Sequence, residues 1–182
     1  MISQIISPTP LGDLFALASE NHLLMLEFAD SKWLEKKLQN LNSDAPSFWT
    51  EWRIQEHGSF ASTQDDGNSK VLTQTRLELS EYFEGTRKKF SIPVMPHGTE
   101  FQMKAWQALE QIPYGETRNY LEEATMIGNP KAVRAIGGAN HNNPIVIIIP
   151  CHRVIGKSGK LVGYGGWLNR KTWLLEHEKK YL

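Results

Sequence analysis

The sequence predicts an α+β protein with a small antiparallel sheet in its N-terminal half and mainly helices in its C-terminal half, including a helix-turn-helix and the only cysteine. Short apolar runs separated by turn residues fill the first 28 positions. Apolar stripes with helix-capping residues follow residue 99. Between them, residues 91–98 are rich in proline and glycine, so we expect two domains, residues 1–96 and 97–182.

The N-terminal half begins with three predicted strands at Ile2–Ser7, Leu14–Ser19 and Leu23–Phe28. Because only short turns separate them, they are expected to form an antiparallel meander. Ser31 is the predicted N-cap of a helix that ends near Leu41.

The remainder of this half holds a polar segment and one further helix. Residues 57–70 are turn-rich and predict a loop or a disordered segment. Leu72–Phe83 is a predicted helix that Gly85 stops. The histidines and carboxylates of the N-terminal half are scattered, which favours a scaffolding role for this half.

The C-terminal half opens with three predicted helices. Thr99 and Gln102 form a capping box ahead of the first helix, which ends at residues 113–115. A short helix follows at about residues 118–127. Residues 128–130, Gly-Asn-Pro, combine a helix stop, an N-cap and a first-turn proline.

The third of these helices is expected from Pro130 to about Ala139. Two short helices joined by a tight turn containing glycine are typical of a helix-turn-helix, although a plain helical hairpin gives the same pattern.

This third helix carries small residues where larger ones are usual: Ala132, Ala135, Gly137, Gly138 and Ala139. Glycine in a helix interior costs about 1 kcal/mol relative to alanine. The pattern therefore indicates that another surface approaches this helix closely. The DNA minor groove, about 6 Å wide, imposes such a limit, and close packing on another helix is the alternative. Arg134 is the one long cation among the small residues.

Cys151 follows the apolar run 145–149, which predicts a core strand or a buried extended segment ended by Pro150. A cysteine at the end of a rigid apolar element, with His152 beside it, suits a nucleophile. A buried, unreactive cysteine is an equally weighted alternative on these residues alone. Neighbouring side chains on a strand point to opposite faces, so Cys151 and His152 can cooperate only if the backbone turns or a water bridges them.

The end of the chain predicts a hairpin and a helix. Residues 154–155 and 161–162 flank a turn at 156–159, and a glycine-rich loop at 163–166 holds Tyr164. The last helix is expected at Leu168–Lys180.

Charge is distributed unevenly although the net charge is zero. Residues 1–95 hold nine bases and thirteen acids, whereas residues 96–182 hold eleven and seven. Between Glu123 and Glu176 there is no acid, but there are seven bases: Lys131, Arg134, Arg153, Lys157, Lys160, Arg170 and Lys171. This asymmetry predicts a polyanionic partner, with a solvated face as the alternative.

A single cysteine excludes an intramolecular disulfide and a multi-cysteine zinc site, and no metal or cofactor is expected. The first residues lack the pattern of a signal peptide, and no apolar stretch approaches 18 residues. We therefore expect a cytoplasmic protein, or a nuclear one in a eukaryote.

Seven motifs resemble, in order and spacing, those of the O6-alkylguanine-DNA alkyltransferases across about 85 residues of the C-terminal half. They are Thr99-Glu100-Phe101-Gln102, Ile112-Pro113-Tyr114-Gly115, Gly128-Asn129-Pro130, Arg134-Ala135-Ile136-Gly137, Asn143-Pro144, Pro150-Cys151-His152-Arg153-Val154 and Trp173-Leu174-Leu175-Glu176-His177-Glu178. Tyr82-Phe83-Glu84-Gly85 is similar too, and the likeness weakens before residue 72.

The resemblance implies a monomeric DNA-repair protein that sacrifices itself and needs no cofactor. Its N-terminal domain would be ribonuclease H-like. Double-stranded DNA containing O6-alkylguanine would bind through its minor groove, and the damaged base would flip into a pocket. Cys151 would take the alkyl group by direct displacement and keep it. O4-alkylthymine is left open as a further substrate.

The resemblance also implies the roles of the site residues. Cys151 is the acceptor, His152 the base acting through a water, and Glu178 the acid that orients His152. Tyr120 donates a proton to the guanine. Position alone would instead make Glu178 a solvated surface acid. A cysteine–histidine–acid relay suits the chemistry, because only the thiolate is a strong nucleophile.

Further roles concern the DNA. Arg134 is the finger that fills the gap in the base stack, Asn143 is the hinge between recognition helix and active site, and Tyr164 lines the base pocket. The small residues of the recognition helix that approach the DNA are Ala132, Ala135 and Gly137.

Two positions depart from the family pattern: Glu123 stands where an apolar residue is usual, and Glu100 replaces a common proline. Two other functions compete with the transferase. One is an alkylated-DNA binding protein without transfer, against which Cys151 argues because such relatives lack the cysteine. The other is a cysteine hydrolase using Cys151, His152 and Glu178, which would turn over repeatedly.

Overall fold

The computed structural model describes three ranges of the chain, residues 1–43, 69–161 and 168–182. Tyr164, Val162 and most of the predicted loop at 57–70 lie outside them. Within these ranges the protein has the predicted α+β class, with one three-stranded antiparallel sheet and six α-helices. No helix in the described ranges combines the length and apolar character needed to cross a membrane.

The chain forms two compact units. The first comprises Met1–Ser80 and Ser91–His97, and the second comprises Glu81–Phe90 and Gly98–Leu182. The boundary expected at residues 96 and 97 assigns Glu81–Phe90 to the first domain, whereas the contacts of the chain group this segment with the second unit.

The sheet of the first unit is the predicted meander. Strands β1 (Ile2–Ile6), β2 (Leu14–Ala18) and β3 (Leu23–Phe28) pair antiparallel in sequence order. Every residue of β2 and β3 is buried, as expected for a central strand and a neighbour covered on both faces. A bulge at Leu17 and Ala18 shifts the register of the second pair.

Helix α1 (Leu34–Ser43) covers one face of this sheet. Its leucines pack with sheet residues in one apolar cluster, Phe15, Leu17, Met25, Leu34, Leu38 and Leu41. Ser31 does act near the helix start, since its Oγ accepts from the Trp33 N–H at 3.3 Å, but the regular helix begins only at Leu34.

Helix α2 (Lys70–Phe83) begins two residues before the predicted start. Ser69 explains this, because its Oγ accepts from the Leu72 N–H at 3.3 Å and so satisfies one free donor of the first turn. An extended segment adds to the sheet at β3: Leu23 donates to Pro93 O and accepts from Met95 N, both at 2.9 Å.

The second unit begins with helix α3 (Glu100–Glu110) and its predicted capping box. Thr99 Oγ1 accepts from Gln102 N at 3.3 Å, and Gln102 Oε1 accepts from Thr99 N at 2.8 Å. The helix packs on the next two through a core of three alanines and one isoleucine, Ala105, Ala124, Ile136 and Ala139. The small alanine side chains let the three helices approach closely.

Helices α4 (Tyr120–Met126) and α5 (Val133–His141) form the expected pair. Gly128 follows α4 with φ +74°, a conformation that favours glycine as a helix stop. The predicted start of α5 at Pro130 is wrong by three residues. Asn129 does not cap it, because Asn129 O accepts from Ala132 N in a separate turn, and Ala132 is the N-cap residue.

The strand expected at residues 145–149 is also wrong, although every residue of this run is buried as predicted. The segment consists of turns, with Ile149 N donating to Ile145 O at 3.0 Å. Ile147 adopts φ +72°, which is rare for a β-branched residue and marks local strain. The apolar composition of residues 145–149 predicted their burial but not this backbone conformation.

The predicted turn after the cysteine is present, and Val162 of its expected partner strand lies outside the described residues. Gly156 N donates to Lys160 O at 2.9 Å in the turn. Strand β5 (Val154–Ile155) pairs in parallel with β4 (Arg118–Asn119), the two residues that precede α4. Helix α6 has the predicted bounds, Leu168–Lys180.

Candidate active site

Cys151 begins a 3-10 turn that ends at Arg153. Cys151 N donates to Ile149 O at 2.9 Å, and Arg153 N donates to Pro150 O at 3.0 Å. The backbone therefore turns where the sequence required it to turn, so Cys151 and His152 are not held on opposite faces of a strand. The cysteine is buried, with 6% of its surface exposed.

Asn143 connects the end of α5 to the cysteine. Its Nδ2 donates to Ile149 O at 2.8 Å and to Cys151 Sγ at 3.2 Å, and its Oδ1 accepts from Ile145 N at 3.0 Å. The side chain thus clamps both ends of the strained buried loop. An N–H donor beside sulfur favours the thiolate over the thiol.

Glu178 is fully buried on α6, which corrects the expectation from position alone that it is a solvated acid. Four groups donate to its carboxylate: Tyr82 OH at 2.9 Å, Gly115 N at 2.9 Å, His152 Nε2 at 2.8 Å and the Arg153 guanidinium at 3.0 Å. Burial would raise the pKa of Glu178, but His152 and Arg153 outweigh burial and hold this pKa below its usual range. Glu178 is therefore ionised at neutral pH.

Two of these donors, Gly115 and Arg153, are held in place by further features of the structure. Gly115 has φ +75°, and a Cβ there would lie 2.7 Å from the Leu182 side chain, so only glycine fits where this N–H meets Glu178. Arg153 also donates to Ile112 O at 2.6 Å. Both contacts tie the turn that ends α3 to the active site.

His152 is wholly buried, and burial lowers its pKa despite the opposing effect of Glu178. The imidazole is therefore neutral at pH 7. Because an ionised carboxylate only accepts, Nε2–H donates to Glu178 and the lone pair lies on Nδ1. Nδ1 is buried and has no hydrogen-bond partner in the described part of the chain. The ring is thus prepared to accept a proton at Nδ1.

Tyr120 and Lys171 complete the electrostatic surroundings of Cys151. Burial, followed by the charges of Cys151 and Glu123, raises the pKa of Tyr120 to about 12, so its hydroxyl stays protonated. Lys171 is buried and donates from Nζ to Val154 O at 2.5 Å. Burial lowers the pKa of Lys171, whereas Cys151 and Glu123 act in the opposite direction.

The basic stretch divides into two groups. Exposed bases are Lys131, Arg134, Lys157 and Lys160, and buried ones are Arg153, Arg170 and Lys171. The charge asymmetry that predicted a polyanionic partner therefore overstates the exposed positive charge, because three of the seven bases lie inside the unit. Sequence alone could not separate the groups, since the burial of Arg153 depends on Glu178, 25 positions away.

The surface of α5 explains part of its small-residue pattern. Arg134, Ala135 and Gly138 are exposed, and Ala132 and Gly137 are half-buried. A Cβ on Gly138 would meet nothing within 4 Å among the described residues, and one on Gly137 would lie 4.0 Å from the Tyr120 ring. Close internal packing therefore does not account for Gly138, although it does account for buried Ala139.

The structure thus brings together in one unit five residues singled out from sequence: Tyr120, Asn143, Cys151, His152 and Glu178. Sequence reasoning missed three others: Tyr82 and Arg153, which bond to Glu178, and Lys171, whose charge acts on Cys151. Tyr82 and Arg153 lie within motifs that carried the family resemblance, which was the available signal. Among the described residues there is no cluster of three or more histidine, cysteine or acidic side chains that could hold a metal.

Comparison with known families finds a match in each half of the chain. Residues 4–96 match the ribonuclease-like domain of 6-O-methylguanine DNA methyltransferase, and residues 100–180 match its DNA binding domain. Among curated proteins, the methylated-DNA–protein-cysteine methyltransferase of Methanosarcina acetivorans is 41% identical over 93% of this chain and 94% of its own length. The constitutive enzyme of Bacillus subtilis is 40% identical over 94% and 92%.

Solved structures show the same likeness. The Mycobacterium tuberculosis protein OGT in complex with DNA has a TM-score of 0.76 at 36% identity, covering 100% of this chain and 94% of that one. The M. tuberculosis O6-methylguanine methyltransferase has a TM-score of 0.73 at 39% identity, with the same coverage. The chain belongs to the 6-O-methylguanine DNA methyltransferase family, and the resemblance inferred from the sequence is confirmed.

Proposed function

We propose that this protein repairs DNA by transferring an alkyl group from O6 of guanine to Cys151 Sγ, in a reaction that each molecule performs once. The observation that carries the proposal is the buried contact of His152 with Glu178 directly beside the only cysteine, in a chain of the alkyltransferase family.

The first step is activation of the thiol. Neutral His152 accepts the Cys151 proton at Nδ1 through a bridging water, and ionised Glu178 stabilises the imidazolium that forms. The Asn143 Nδ2 donor, 3.2 Å from Sγ, and the buried Lys171 ammonium both favour the resulting thiolate. Without such help, free cysteine is mainly a thiol near pH 7.

The second step is displacement at the alkyl carbon. The thiolate forms a carbon–sulfur bond while the bond from that carbon to guanine O6 breaks, and its electron pair passes to the purine. Tyr120 donates its hydroxyl proton to the purine ring, and this protonation makes the guanine a better leaving group. A pKa of about 12 keeps Tyr120 protonated until the base accepts that proton. O4-alkylthymine presents a comparable alkyl–oxygen bond, and we propose it as a further substrate.

DNA is proposed to bind in the minor groove against α5. Exposed Gly138 and Ala135 permit a close approach, and exposed Arg134 fills the space that the flipped base leaves in the stack. Flipping costs a few kcal/mol and is easiest for a poorly paired base, such as an alkylated guanine. Tyr164 is proposed to line the base pocket, and the protein is proposed to act as a monomer.

Stoichiometry tests this function. We expect an O6-methylguanine duplex to yield product up to one equivalent of active protein, while the intact mass of the protein rises by one methyl group located at Cys151. A thioether offers no easy leaving group, and the chain has no second cysteine that could exchange with it. Cys151→Ser should bind the duplex but transfer nothing.

Other outcomes identify the competing functions. Product well beyond one equivalent, with Cys151 unmodified, would establish a hydrolase. Tight binding without any mass change would establish a damage-binding protein.

A second test concerns Arg134. At saturating DNA, Arg134→Ala should slow repair of duplex DNA by about tenfold or more, because stabilisation of the flipped state is lost. Reaction with free O6-benzylguanine needs no flipping and should be unchanged. Lys131→Ala removes another exposed cation and should weaken salt-dependent binding without separating the two reactions. Equal losses in both reactions for Arg134→Ala would refute the finger assignment.

A further inference from the structure

Glu123 is a second fully buried carboxyl in the same unit as the active site, and the mechanism above does not use it. It lies on α4, one turn after Tyr120. Its Oε2 accepts from Asn140 Nδ2 on α5 at 2.7 Å. This is a side-chain contact between the two helices that present Tyr120 and Arg134.

Each of these two side chains also has an oxygen atom that is buried without a hydrogen-bond partner among the described residues. Glu123 Oε1 and Asn140 Oδ1 have no hydrogen bond among the described residues. Both are acceptors when the glutamate is ionised, so they cannot bond to each other in that state. A proton on Glu123 Oε1 would supply the missing donor, and a second bond to Asn140 Oδ1 would then pair both buried acceptors. Buried polar groups are almost always paired, which favours the protonated form.

The charges facing Glu123 do not offset its burial. Lys171 on α6 acts on it as a cation, and Tyr120 is the titratable neighbour on its own helix. From α3, apolar Phe101 and Ala105 pack in one cluster with Ala124, the residue after Glu123. On the strand that precedes α4, the guanidinium of Arg118 is bonded to Glu116 and Thr117 instead. On α5, Asn140 is neutral, and Arg134 is exposed.

We propose that Glu123 is a proton-sensitive positioning residue: as a neutral acid it pairs with Asn140, holds α4 against α5 and so sets Tyr120 beside Cys151. Ionisation breaks one of the two bonds and places a negative charge near Tyr120, Lys171 and the forming thiolate. Burial raises the pKa of Glu123 to about 7, although Asn140 and Lys171 lower it, which agrees with a neutral acid below this pH. Only the expected effect on transfer rests on the proposed function.

The direct test is carboxyl carbon NMR of protein labelled with ¹³C in its glutamates. The Glu123 signal, identified by its absence in Glu123→Gln or by backbone correlation in the wild type, should titrate near pH 7. A midpoint near the ordinary glutamate value of about 4.3 would overturn the proposal. This measurement needs no DNA and no transfer, so it decides the protonation state even if the proposed function is wrong.

The functional test compares single-turnover rates of Glu123→Gln and wild type from pH 6 to pH 8.5. Glutamine can make both bonds with Asn140 and cannot ionise. The ratio of variant to wild-type rate should be near one at pH 6 and should rise to about tenfold at pH 8, because roughly nine-tenths of Glu123 is then ionised. Effects common to both proteins, including ionisation of Cys151, cancel in the ratio. Glu176→Gln removes an exposed carboxylate from α6 and should give a flat ratio. A flat ratio for Glu123→Gln would show a merely structural residue and overturn the proposal.

Discussion

Glu178 and Glu123 lie in the same compact unit, both fully buried, yet their pKa values move in opposite directions. Glu178 receives hydrogen bonds from four groups, one of them the Arg153 guanidinium, and its pKa falls. Glu123 receives one hydrogen bond from a neutral amide, and its pKa rises to about 7 because burial dominates. The number and charge of the donors, rather than burial itself, decide which acid is fully ionised at pH 7 and which is still about half protonated there.

The difference in protonation state gives the two acids different chemical roles. An ionised Glu178 can stabilise a histidinium, which a neutral acid cannot do. A neutral Glu123 can donate to an amide, which a carboxylate cannot do. Two acids in contrasting environments are a common way for one site to hold both forms at the same pH.

The largest expected effect comes from removing the charge of Glu178. Glu178→Gln should slow transfer by at least about a hundredfold at pH 7, because His152 loses the anion that stabilises its protonated form. Part of the rate should return as pH rises toward about 8.5, where the thiolate forms without a base. Single-turnover rates from pH 6 to 9 measure this. A loss independent of pH would make Glu178 structural.

The same variant should be less stable by about 3–5 kcal/mol at pH 7, since it leaves the Arg153 guanidinium buried without its counter-charge. The pH dependence of stability should also change. Because the folded pKa of Glu178 lies below its unfolded value, Glu178 stabilises the wild type above about pH 4.3, and this stability is lost as pH falls further. Urea unfolding between pH 3 and 7 should show that loss in the wild type and not in the variant.

An intermediate effect is expected where Glu123 is made apolar. Its folded pKa is raised, so its contribution to stability is complete below about pH 4.3 and is lost as pH rises through about 7. The double variant Glu123→Leu with Asn140→Leu lacks this pH dependence. Its unfolding free energy relative to wild type should therefore rise by about 3 kcal/mol from pH 4 to pH 8. Glu123→Leu alone leaves the Asn140 amide unpaired and should cost about 1–3 kcal/mol at pH 5. A difference between double variant and wild type that does not change with pH would contradict the raised pKa.

Local sequence signals predicted much of the framework that supports these two acids. The capping box at Thr99 and the bounds of α6 depend on residues a few positions apart, and both are confirmed. The position of Cys151 at the end of a buried run is confirmed as well, but the run is a strained turn with Ile147 at φ +72°. Nothing in five successive apolar residues specifies that conformation, because it depends on the clamp that Asn143 provides.

The two acids themselves were beyond local reasoning. Glu178 on an exposed-looking helix is buried because Tyr82, 96 positions earlier in the chain, and Arg153 converge on it. Glu123 departed from the family pattern, which marked it as unusual without showing why. Its partner Asn140 lies 17 positions away on the next helix, and only the fold places the two side chains in contact.

The smallest expected effect separates a bonded hydroxyl from an unbonded one. Tyr82 OH donates to Glu178 at 2.9 Å, whereas Tyr114 OH, on a ring whose centroid lies 6.0 Å away, is buried without a hydrogen-bond partner in the described chain. Tyr82→Phe should cost about 1.5–3 kcal/mol, because it removes a bond to a charged group. Tyr114→Phe makes the same chemical change and should be neutral or slightly stabilising. Since His152 and Arg153 still hold Glu178 ionised, Tyr82→Phe should slow transfer less than about tenfold at pH 7, far less than Glu178→Gln. Urea unfolding of both variants measures the difference, and equal losses would show that the donors to Glu178 do not contribute individually.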